Sequence, residues 1–232
     1  MSCGTPASGT LPESQVRAMF DRIARVYDRM NSIMTAGMHH RWRERAADLT
    51  HAGADSRALD VATGTGDLAV ELARRGAAVT GLDFSERMLE LAEAKDARIE
   101  WVQGNALELG FADGEFDAVT VGFGARNFAD LDRGLAEMAR VAKPGGRVVV
   151  LEITSPERPP LSWFFSLWFD RLIPALGRLA DSEAYTYLPS SVRRFPRARE
   201  LGARMAAAGL DDVRWVLTAG GIIAIHSGTR RT

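Results

Sequence analysis

The feature that most constrains the fold of this chain is residues 58–67, Ala-Leu-Asp-Val-Ala-Thr-Gly-Thr-Gly-Asp. They begin as a short apolar run, pass through two glycines and lead into residues 68–73, where apolar side chains recur at helical spacing. This is the pattern of a strand, a glycine-rich turn and a helix. Glycines at such a turn let the backbone bend tightly and approach a ligand without a Cβ atom in the way. We therefore expect a ligand site at Gly64 and Gly66.

Two aspartates near this turn narrow the choice of ligand. Gly64, Gly66 and Ala69 also match the dinucleotide fingerprint, so the spacing alone does not separate NAD from other ligands. Asp67 opens the helix, where its carboxylate opposes a pyrophosphate and favours a ligand with an ammonium and a sulfonium, such as S-adenosylmethionine. The alternative is that Asp67 only caps the helix. Asp83 ends the next predicted strand, about 20 residues beyond the glycines, where a carboxylate accepts both ribose hydroxyls of either ligand.

Strand and helix patterns alternate along most of the chain. Two strands are predicted to end at Asp60 and Asp83, and five more are predicted at 99–102, 116–121, 147–152, 213–217 and 222–226. Helices are predicted at 12–28, 39–50 and 131–142, from Ser85 onward, and between Pro196 and Ala208. Such alternation implies a parallel, doubly wound sheet. The last two strands form a hairpin-like pair, which departs from a dinucleotide-binding fold. The prediction is therefore the Rossmann-like α/β fold of class I S-adenosylmethionine-dependent methyltransferases, with a seven-stranded, mostly parallel sheet.

In sheets of this kind, ligands bind beyond the carboxyl ends of the strands. Those ends carry Asp60, Asp83, Asn105, residues 122–127 and Glu152. The topology therefore predicts that these polar residues converge on one cleft, where the amide of Asn105 reads an adenine edge.

The chain is predicted to fold as one domain, residues 13–232, after a disordered tail of residues 1–12. Within the domain we expect an N-terminal helical cap at 13–51 and a helical insertion after strand five, at 157–195. The insertion contains an apolar and aromatic run at 161–169. Three partners are open for this run: an apolar substrate beneath a lid, a second copy of the chain, and a membrane surface.

Composition and charge exclude several classes of protein. The 232 residues are 46% hydrophobic, which is enough for a sizeable core, and a net charge of −1 provides no basic field for nucleic acid. Cys3 is the only cysteine, which excludes a disulfide framework and predicts a reducing cytoplasm. His39 and His40 form a pair typical of a surface or a helix cap. No further ligands stand at metal spacing, so we expect no metal site.

Longer segments carry a resemblance to one family. The most specific are Phe-Gly-Ala-Arg-Asn at 123–127, residues 140–146 after it, and the Phe-Asp, Tyr-Asp and Met-Asn pairs within 19–31. The other matching segments are 37–43, 59–68, 81–85, 88–89, 104–106, 187–188, 195–196 and 218–221, with Glu152, Pro156, His226 and Gly228. Together they resemble the UbiE/MenG family of quinone-biosynthesis C-methyltransferases, over nearly the whole chain. The glycine turn alone would indicate only a methyltransferase.

The resemblance implies methyl transfer from S-adenosylmethionine to a ring carbon of a polyprenyl quinol. The first substrate implied is demethylmenaquinol, and the second is the methoxy-polyprenyl-benzoquinol of ubiquinone biosynthesis. A phenol has a pKa of about 10, so the phenolate needs stabilisation, which we assign to the permanently charged Arg126. Asn127 and Tyr27 are predicted to hydrogen-bond the quinol oxygens. The alternative for Arg126 is a structural salt bridge to Asp130 or Asp28.

The predicted cofactor site follows from the turn and from the strand ends. Its residues are Asp60, Gly64, Thr65, Gly66, Asp83, Met88, Asn105, Ala106 and Gly122, with Thr65 and the turn glycines beside the methionine part. We expect a cytoplasmic enzyme, or one held peripherally at the inner membrane surface, with a homodimer as a candidate assembly.

Three other functions stay open at this point. The first is methylation of a different small, apolar aromatic substrate, which the segment at 123–127 disfavours. The second is a nucleotide-dependent oxidoreductase, which Asp67 and the terminal strand pair disfavour. The third is a non-catalytic subunit of a quinone-pathway assembly, which the intact glycine turn and Asp83 disfavour.

Overall fold

The computed structural model describes residues 12–156 and 183–232. In chain order its helices are α1 (Glu13–Thr35), α2 (Met38–Thr50), α3 (Asp67–Arg74), α4 (Glu86–Lys95), α5 (Leu131–Val141), α6 (Glu183–Arg194) and α7 (Ala198–Ala207). Its strands are β1 (Arg57–Val61), β2 (Ala78–Asp83), β3 (Glu100–Gln103), β4 (Phe116–Gly122), β5 (Ala142–Ile153), β6 (Leu210–Thr218) and β7 (Ile223–Arg230). A short 3₁₀ helix, Ala125–Asn127, follows β4.

The strands form one seven-stranded sheet in the order β3-β2-β1-β4-β5-β7-β6. The first five strands of this order are parallel, and β7 is antiparallel to both of its neighbours, β5 and β6. The order reverses at β1, where β1 lies between β2 and β4. The predicted Rossmann-like fold of the class I methyltransferases is confirmed, and the reversal at β1 places a ligand crevice at the carboxyl ends of β1 and β4.

Helices cover both faces of the sheet, which explains why the central strands are nearly continuous apolar runs. In β5, Val148 and Val150 join the core cluster formed with α5 and α7, whereas Val149 and Leu151 join the cluster formed with α2 and α3. Because successive side chains of a strand point to opposite faces, a strand buried on both sides must be apolar at every position.

Two element boundaries differ from the sequence prediction. The first helix continues past Asp28, whose carboxylate accepts a hydrogen bond from Thr65. It ends at Thr35, because Ala36 and Gly37 adopt left-handed φ angles of 48° and 76°. Residues 144–146, between the predicted helix at 131–142 and the predicted strand at 147–152, lie inside β5 as a bulge, since the register against β4 shifts there.

Two predicted segments lie outside the described residues. They are most of the tail, residues 1–11, and residues 157–182 of the predicted insertion, including the aromatic run at 161–169. The end of the predicted insertion is described and is the helix α6.

Candidate functional site

An open cavity of about 890 Å³ lies at the carboxyl ends of β1, β2 and β4. The glycine turn after β1 and the first residue of α3 line one side of the cavity, and aromatic side chains of α1 and of the loop after β4 line another.

The turn after β1 contains two glycines with different physical roles. Gly64 has a φ of 58°, lines the cavity, and has open space where a Cβ atom would lie. Gly66 has a φ of 80°, but a Cβ atom there would be 2.5 Å from Cη2 of Trp101. Gly66 does not line the cavity. The structure therefore explains Gly64 by turn conformation and ligand access, and Gly66 by close packing against Trp101.

Asp60 is buried beneath the turn. Its two carboxylate oxygens accept hydrogen bonds from the hydroxyls of Thr63 and Thr120, each at 2.6 Å. Burial raises the pKa of Asp60 to about 6, although the two hydroxyls act in the opposite direction. Asp60 lines the cavity, and its bond to Thr63 fixes the turn that also lines it.

Asp83 is buried at the end of β2 and holds two loops together. The N–H of Gly64 donates to its Oδ2 at 2.8 Å, and the N–H of Ser85 donates to its Oδ1 at 2.9 Å. Burial raises the pKa of Asp83 to about 6, although the backbone donors act in the opposite direction. Each oxygen accepts one of these bonds, and a carboxylate oxygen can accept two. Asp83 lines the cavity with acceptor capacity remaining.

The other predicted cofactor residues also line the cavity, namely Thr65, Met88, Asn105, Ala106 and Gly122. The hydroxyl of Thr65 donates to Oδ1 of Asp28 at 2.5 Å, which ties the turn to α1. The side-chain oxygen of Asn105 accepts the N–H of Leu107 at 2.8 Å.

Asp67 does not act as an isolated negative charge at the start of α3. Its carboxylate accepts a hydrogen bond from Nζ of Lys95 at 2.6 Å and lies 3.5 Å from Nη2 of Arg43. The argument that Asp67 alone opposes a pyrophosphate was therefore incomplete, because two cations balance it. Asp67 does not cap α3 through a side-chain hydrogen bond, since Gly66 is the N-cap, but it is the acidic residue of the first turn, where a negative charge is favourable.

Several aromatic side chains also line the cavity. Phe20 contacts Tyr27 edge to face at 6.1 Å between ring centroids and contacts Phe84 at 6.4 Å. These three rings line the cavity together with Phe123 and Asn127. Phe123 has a φ of 60°, a backbone conformation that is strained for a bulky residue and is found mainly at functional sites.

Arg126 forms a buried ion pair beside the cavity rather than lining it. Nη1 of Arg126 donates to Oε1 of Glu152 at 2.8 Å, and the two side chains are 8% and 1% exposed. The salt bridge anticipated as the alternative has Glu152 as its partner, because Asp130 caps α5 and Asp28 binds Thr65. Burial lowers the pKa of Arg126, but Glu152 outweighs that effect, and the net shift is upward.

Four buried polar atoms of Arg126 and of residues around it have no hydrogen-bond partner among residues 12–156 and 183–232. They are Nε of Arg126, Oδ1 of Asn127, Oγ1 of Thr154 and the hydroxyl of Tyr187. Both Tyr27 and Tyr187 lie near enough to Arg126 to shift its pKa. Buried polar groups are almost always hydrogen-bonded in folded proteins, so these four atoms are candidates for contact with a bound molecule.

The histidine pair divides between the interior and the surface. His40 is exposed as expected, but His39 is buried and contacts Arg43 and Ser32, so the surface prediction was wrong for His39. Arg43 itself lines the cavity and was missed. Helical spacing places it on the buried face of α2, beside Trp42 and Ala46, and that placement was the available signal.

Among residues 12–156 and 183–232, no group of three or more histidine, cysteine, aspartate or glutamate side chains could hold a metal ion. None of the helices in the described part of the chain is long and apolar enough to cross a membrane.

Comparison with known sequences gives a consistent family. The model of the ubiE/COQ5 methyltransferase family matches residues 9–230. A demethylmenaquinone methyltransferase of Thermus thermophilus is 46% identical over 220 residues, covering 91% of this chain and 100% of the relative. A demethylmenaquinone methyltransferase of Mycolicibacterium vanbaalenii is 42% identical over 218 residues, covering 93% of this chain and 95% of the relative.

Comparison with solved structures gives the fold alone. An S-adenosylmethionine-dependent methyltransferase of Thermotoga maritima superposes with a TM-score of 0.68 at 20% identity, covering 92% of this chain and 99% of the other. The cyclase SpnF superposes with a TM-score of 0.70 at 20% identity over the full length of both chains. A cyclase among these neighbours illustrates that the fold does not determine the reaction.

Proposed function

The chain belongs to the ubiE/COQ5 methyltransferase family, and we propose that it transfers a methyl group from S-adenosylmethionine to a ring carbon of demethylmenaquinol. The methoxy-polyprenyl-benzoquinol is the second candidate acceptor. The proposal depends on one arrangement. The cavity is lined by aromatic side chains and by the glycine turn after β1, and the buried polar atoms that have no partner among the described residues lie beside it.

The cavity fits S-adenosylmethionine at its nucleoside end. The carboxylate of Asp83 has acceptor capacity left for two ribose hydroxyls, and Gly64 leaves open space above the turn. Asn105 and Ala106 would border the adenine. Asp60, whose oxygens each accept a threonine hydroxyl, would support the turn that borders the ligand. When bound there, S-adenosylmethionine supplies an electrophilic methyl group on its sulfonium.

The aromatic side of the cavity suits a quinol ring. Phe20, Tyr27 and Phe123 offer ring faces and edges, and Oδ1 of Asn127, which also lines the cavity, offers a partner for one phenolic oxygen. The hydroxyl of Tyr187, which packs with Phe20 behind the lining residues, is the proposed partner for the second. A quinol has two hydroxyls on opposite sides of one flat ring. Both can then be bound without leaving buried polar atoms unpaired.

The chemistry requires a phenolate. Loss of the phenolic proton raises the electron density on the ring carbon next to the one that bears the oxygen. This ring carbon forms a bond to the methyl carbon as the methyl–sulfur bond breaks. That carbon then loses its own proton, aromaticity returns, and the oxygen is reprotonated, so one proton is released per methyl group transferred. The in-line displacement makes positioning the main contribution of the protein.

Arg126 is proposed to stabilise the phenolate. Its Nε–H is a buried donor without a partner, and its charge is held in place by Glu152. A donor oriented in advance toward developing negative charge is worth much more in a site without water than in solution. Because Glu152 neutralises the charge of Arg126, Arg126 would stabilise the phenolate mainly through the hydrogen bond that its Nε–H donates.

The substrate class also bears on location. A polyprenyl quinol resides in membranes, so we propose a cytoplasmic enzyme that works at the inner membrane surface. Its association can be followed by sedimentation with vesicles that contain the quinol, and its assembly as a monomer or homodimer by light scattering.

The first experiment measures methyl transfer from labelled S-adenosylmethionine to chemically reduced demethylmenaquinol and methoxy-polyprenyl-benzoquinol in parallel. Label in the naphthoquinol product is the expected result. Label in neither product, with S-adenosylmethionine still bound, would overturn the quinol proposal and leave another aromatic acceptor. Tighter binding of NAD than of S-adenosylmethionine would instead support an oxidoreductase.

A further inference from the structure

Arg43 is the only basic residue among the described side chains that line the cavity. The acidic residues that line it are Asp60, Asp67 and Asp83. The Arg43 side chain is only 8% exposed. Its anionic neighbour Asp67 lies 3.5 Å away, beyond ordinary hydrogen-bond distance, so the guanidinium keeps donor capacity for a second anionic group at the cavity.

The position of Arg43 is fixed by contacts with α1 and α2. Nη1 of Arg43 donates to Nδ1 of His39 at 2.5 Å, and Nε2 of His39 lies 3.1 Å from the hydroxyl of Ser32. That hydroxyl donates to the carbonyl of Asp28 at 2.9 Å. Burial, followed by the charge of Arg43, lowers the pKa of His39 to about 4. His39 is therefore neutral near pH 7 and accepts from Arg43, so the guanidinium is held by a neutral group that leaves its charge intact.

The charges around Arg43 are already in balance. Lys95 lies 2.6 Å from the carboxylates of both Asp28 and Asp67, and Arg43 lies at the longer distance of 3.5 Å from Asp67. The cluster thus holds two cations and two carboxylates. A phosphate would add uncompensated negative charge, whereas an amino-acid group adds a carboxylate together with its own ammonium and leaves the balance unchanged.

The start of α3 lies beside Arg43. Asp67 is the first residue of α3, and both Asp67 and Leu68 line the cavity. The first N–H groups of a helix lack partners within the helix and carry partial positive charge, so they favour a carboxylate. A carboxylate placed between Arg43 and this helix end would be bound by both.

We propose that Arg43 binds the α-carboxylate of the methyl donor's amino-acid end, with the ammonium of that end facing Asp67. The proposal rests on the proposed use of S-adenosylmethionine and does not depend on the identity of the acceptor. It gives the cavity three contacts for one ligand: Asp83 for the ribose, Asn105 for the base, and Arg43 for the carboxylate.

Calorimetry with three ligands tests this assignment. S-adenosylhomocysteine carries the complete amino-acid end, its decarboxylated analogue lacks only the carboxylate, and 5′-methylthioadenosine lacks the whole end. We expect Arg43→Gln to weaken S-adenosylhomocysteine by about 10- to 100-fold, the range for a hydrogen-bonded charged group. Binding of methylthioadenosine should change by less than about threefold. Arg45→Gln, an exposed arginine on the same helix, is the matched control and should change none of the three.

The analogue without the carboxylate keeps the test valid if Arg43→Gln fails to fold. The wild-type chain should bind that analogue about as weakly as Arg43→Gln binds S-adenosylhomocysteine. A folded Arg43→Lys should bind S-adenosylhomocysteine with an affinity between those of the wild type and Arg43→Gln. Equal losses for S-adenosylhomocysteine and methylthioadenosine would overturn the inference and make Arg43 purely structural. Wild-type binding of the decarboxylated analogue as tightly as S-adenosylhomocysteine would also overturn it. Failure of the wild type to bind S-adenosylhomocysteine would instead overturn the proposed cofactor, whatever the acceptor.

Discussion

The two sides of the cavity differ in how their polar atoms are satisfied. On the nucleoside side, the carboxylates of Asp60 and Asp83 accept four hydrogen bonds from their own chain. On the acceptor side, Arg126, Asn127 and Tyr187 each bury a polar atom that has no partner in the described part of the chain. On the nucleoside side, therefore, each carboxylate oxygen already has one hydrogen-bond partner before ligand binds, whereas the acceptor side holds polar atoms that have none among the described residues.

This difference predicts opposite responses to substitution. Changes on the nucleoside side should cost both stability and cofactor affinity, because the same bonds serve the fold and the ligand. Changes on the acceptor side should cost turnover with little loss of cofactor affinity. The four predictions below test this contrast, in order of decreasing expected effect.

The largest effect is expected for Arg126→Ala. Loss of the donor proposed to stabilise the phenolate should lower kcat by about 100- to 1000-fold, the range seen when an oxyanion donor is removed. S-adenosylmethionine affinity, measured by calorimetry, should change by less than about twofold. Lost affinity would contradict the contrast between the two sides.

Arg126→Ala also leaves Glu152 buried without its partner, which costs about 3–5 kcal/mol of stability. The double variant Arg126→Ala with Glu152→Gln removes the uncompensated charge. It should recover much of the thermal midpoint without recovering turnover, which separates the catalytic loss from unfolding.

The second effect is expected for Asp83→Asn. An amide accepts at one atom only, so S-adenosylmethionine affinity should fall about 100-fold, the equivalent of about 2.7 kcal/mol. Quinol binding should stay near the wild-type value when it is measured per folded molecule and with S-adenosylhomocysteine at saturating concentration. Equal loss at both ligands would show that the two sides are not separable.

The same residue predicts two opposite pH trends in the wild type. Burial raises the pKa of Asp83 from 3.8 to about 6, so the folded state without ligand holds its proton more tightly than the unfolded state does. The resulting stability is present below pH 4 and is lost as the pH rises to about 6. Cofactor affinity should do the reverse and rise with pH through about 6, by about tenfold from pH 5 to 7, because the ribose needs the ionised carboxylate. If the cofactor affinity of the wild type did not change with pH, the assignment of Asp83 would be contradicted. Asp83→Asn is the control, and its affinity should be nearly independent of pH.

The third effect separates the two glycines of the turn. Gly66→Ala puts a Cβ atom 2.5 Å from the Trp101 ring at a φ of 80°, so we expect a loss of about 2–3 kcal/mol in the free energy of unfolding. Gly64→Ala meets nothing within 4 Å and should cost only about 1–2 kcal/mol for its left-handed backbone. Urea denaturation measures both. Cofactor affinity should fall more for Gly64→Ala, since Gly64 lines the cavity; the reverse order would contradict the roles assigned here.

The smallest effects are expected when two hydroxyls are removed: that of Thr120, which is hydrogen-bonded, and that of Tyr187, which has no partner among the described residues. Thr120→Val removes a donor to the buried Asp60 and should lower stability by about 1–3 kcal/mol. Tyr187→Phe removes a buried hydroxyl that has no partner, so stability without ligand should hold or rise slightly, while KM for the quinol rises about fivefold. A stability loss in Tyr187→Phe would indicate that its hydroxyl is already paired in the free protein.

Local sequence was sufficient for much of the nucleoside side. Asp83 was predicted from its place at the end of an apolar run, and Gly64 from a turn between strand and helix, because both signals depend on neighbours in the chain. The alternation of strands and helices fixed the topology for the same reason, and that topology brought Asp60, Asp83 and Asn105 to one cavity.

Other features depend on contacts that sequence spacing does not encode. The partner of Arg126 is Glu152, 26 positions away on another element, and nothing local distinguishes Glu152 from Asp130. Asp67 looked like a lone charge because Lys95 reaches it from α4. The length of α1 was underestimated because a polar residue such as Asp28 resembles a helix end until its partner Thr65 is known.

The position of β7 has a consequence for how the protein is made. β7 follows β6 along the chain but lies between β5 and β6 in the sheet, and β6 pairs with no other strand of the described sheet. On a ribosome, the parallel strands β1 to β5 can pair while β6 is still without a neighbour. A nascent chain that has exposed β6 but not β7 therefore carries two unpaired edges, on β5 and on β6, until its final strand closes both in a single step.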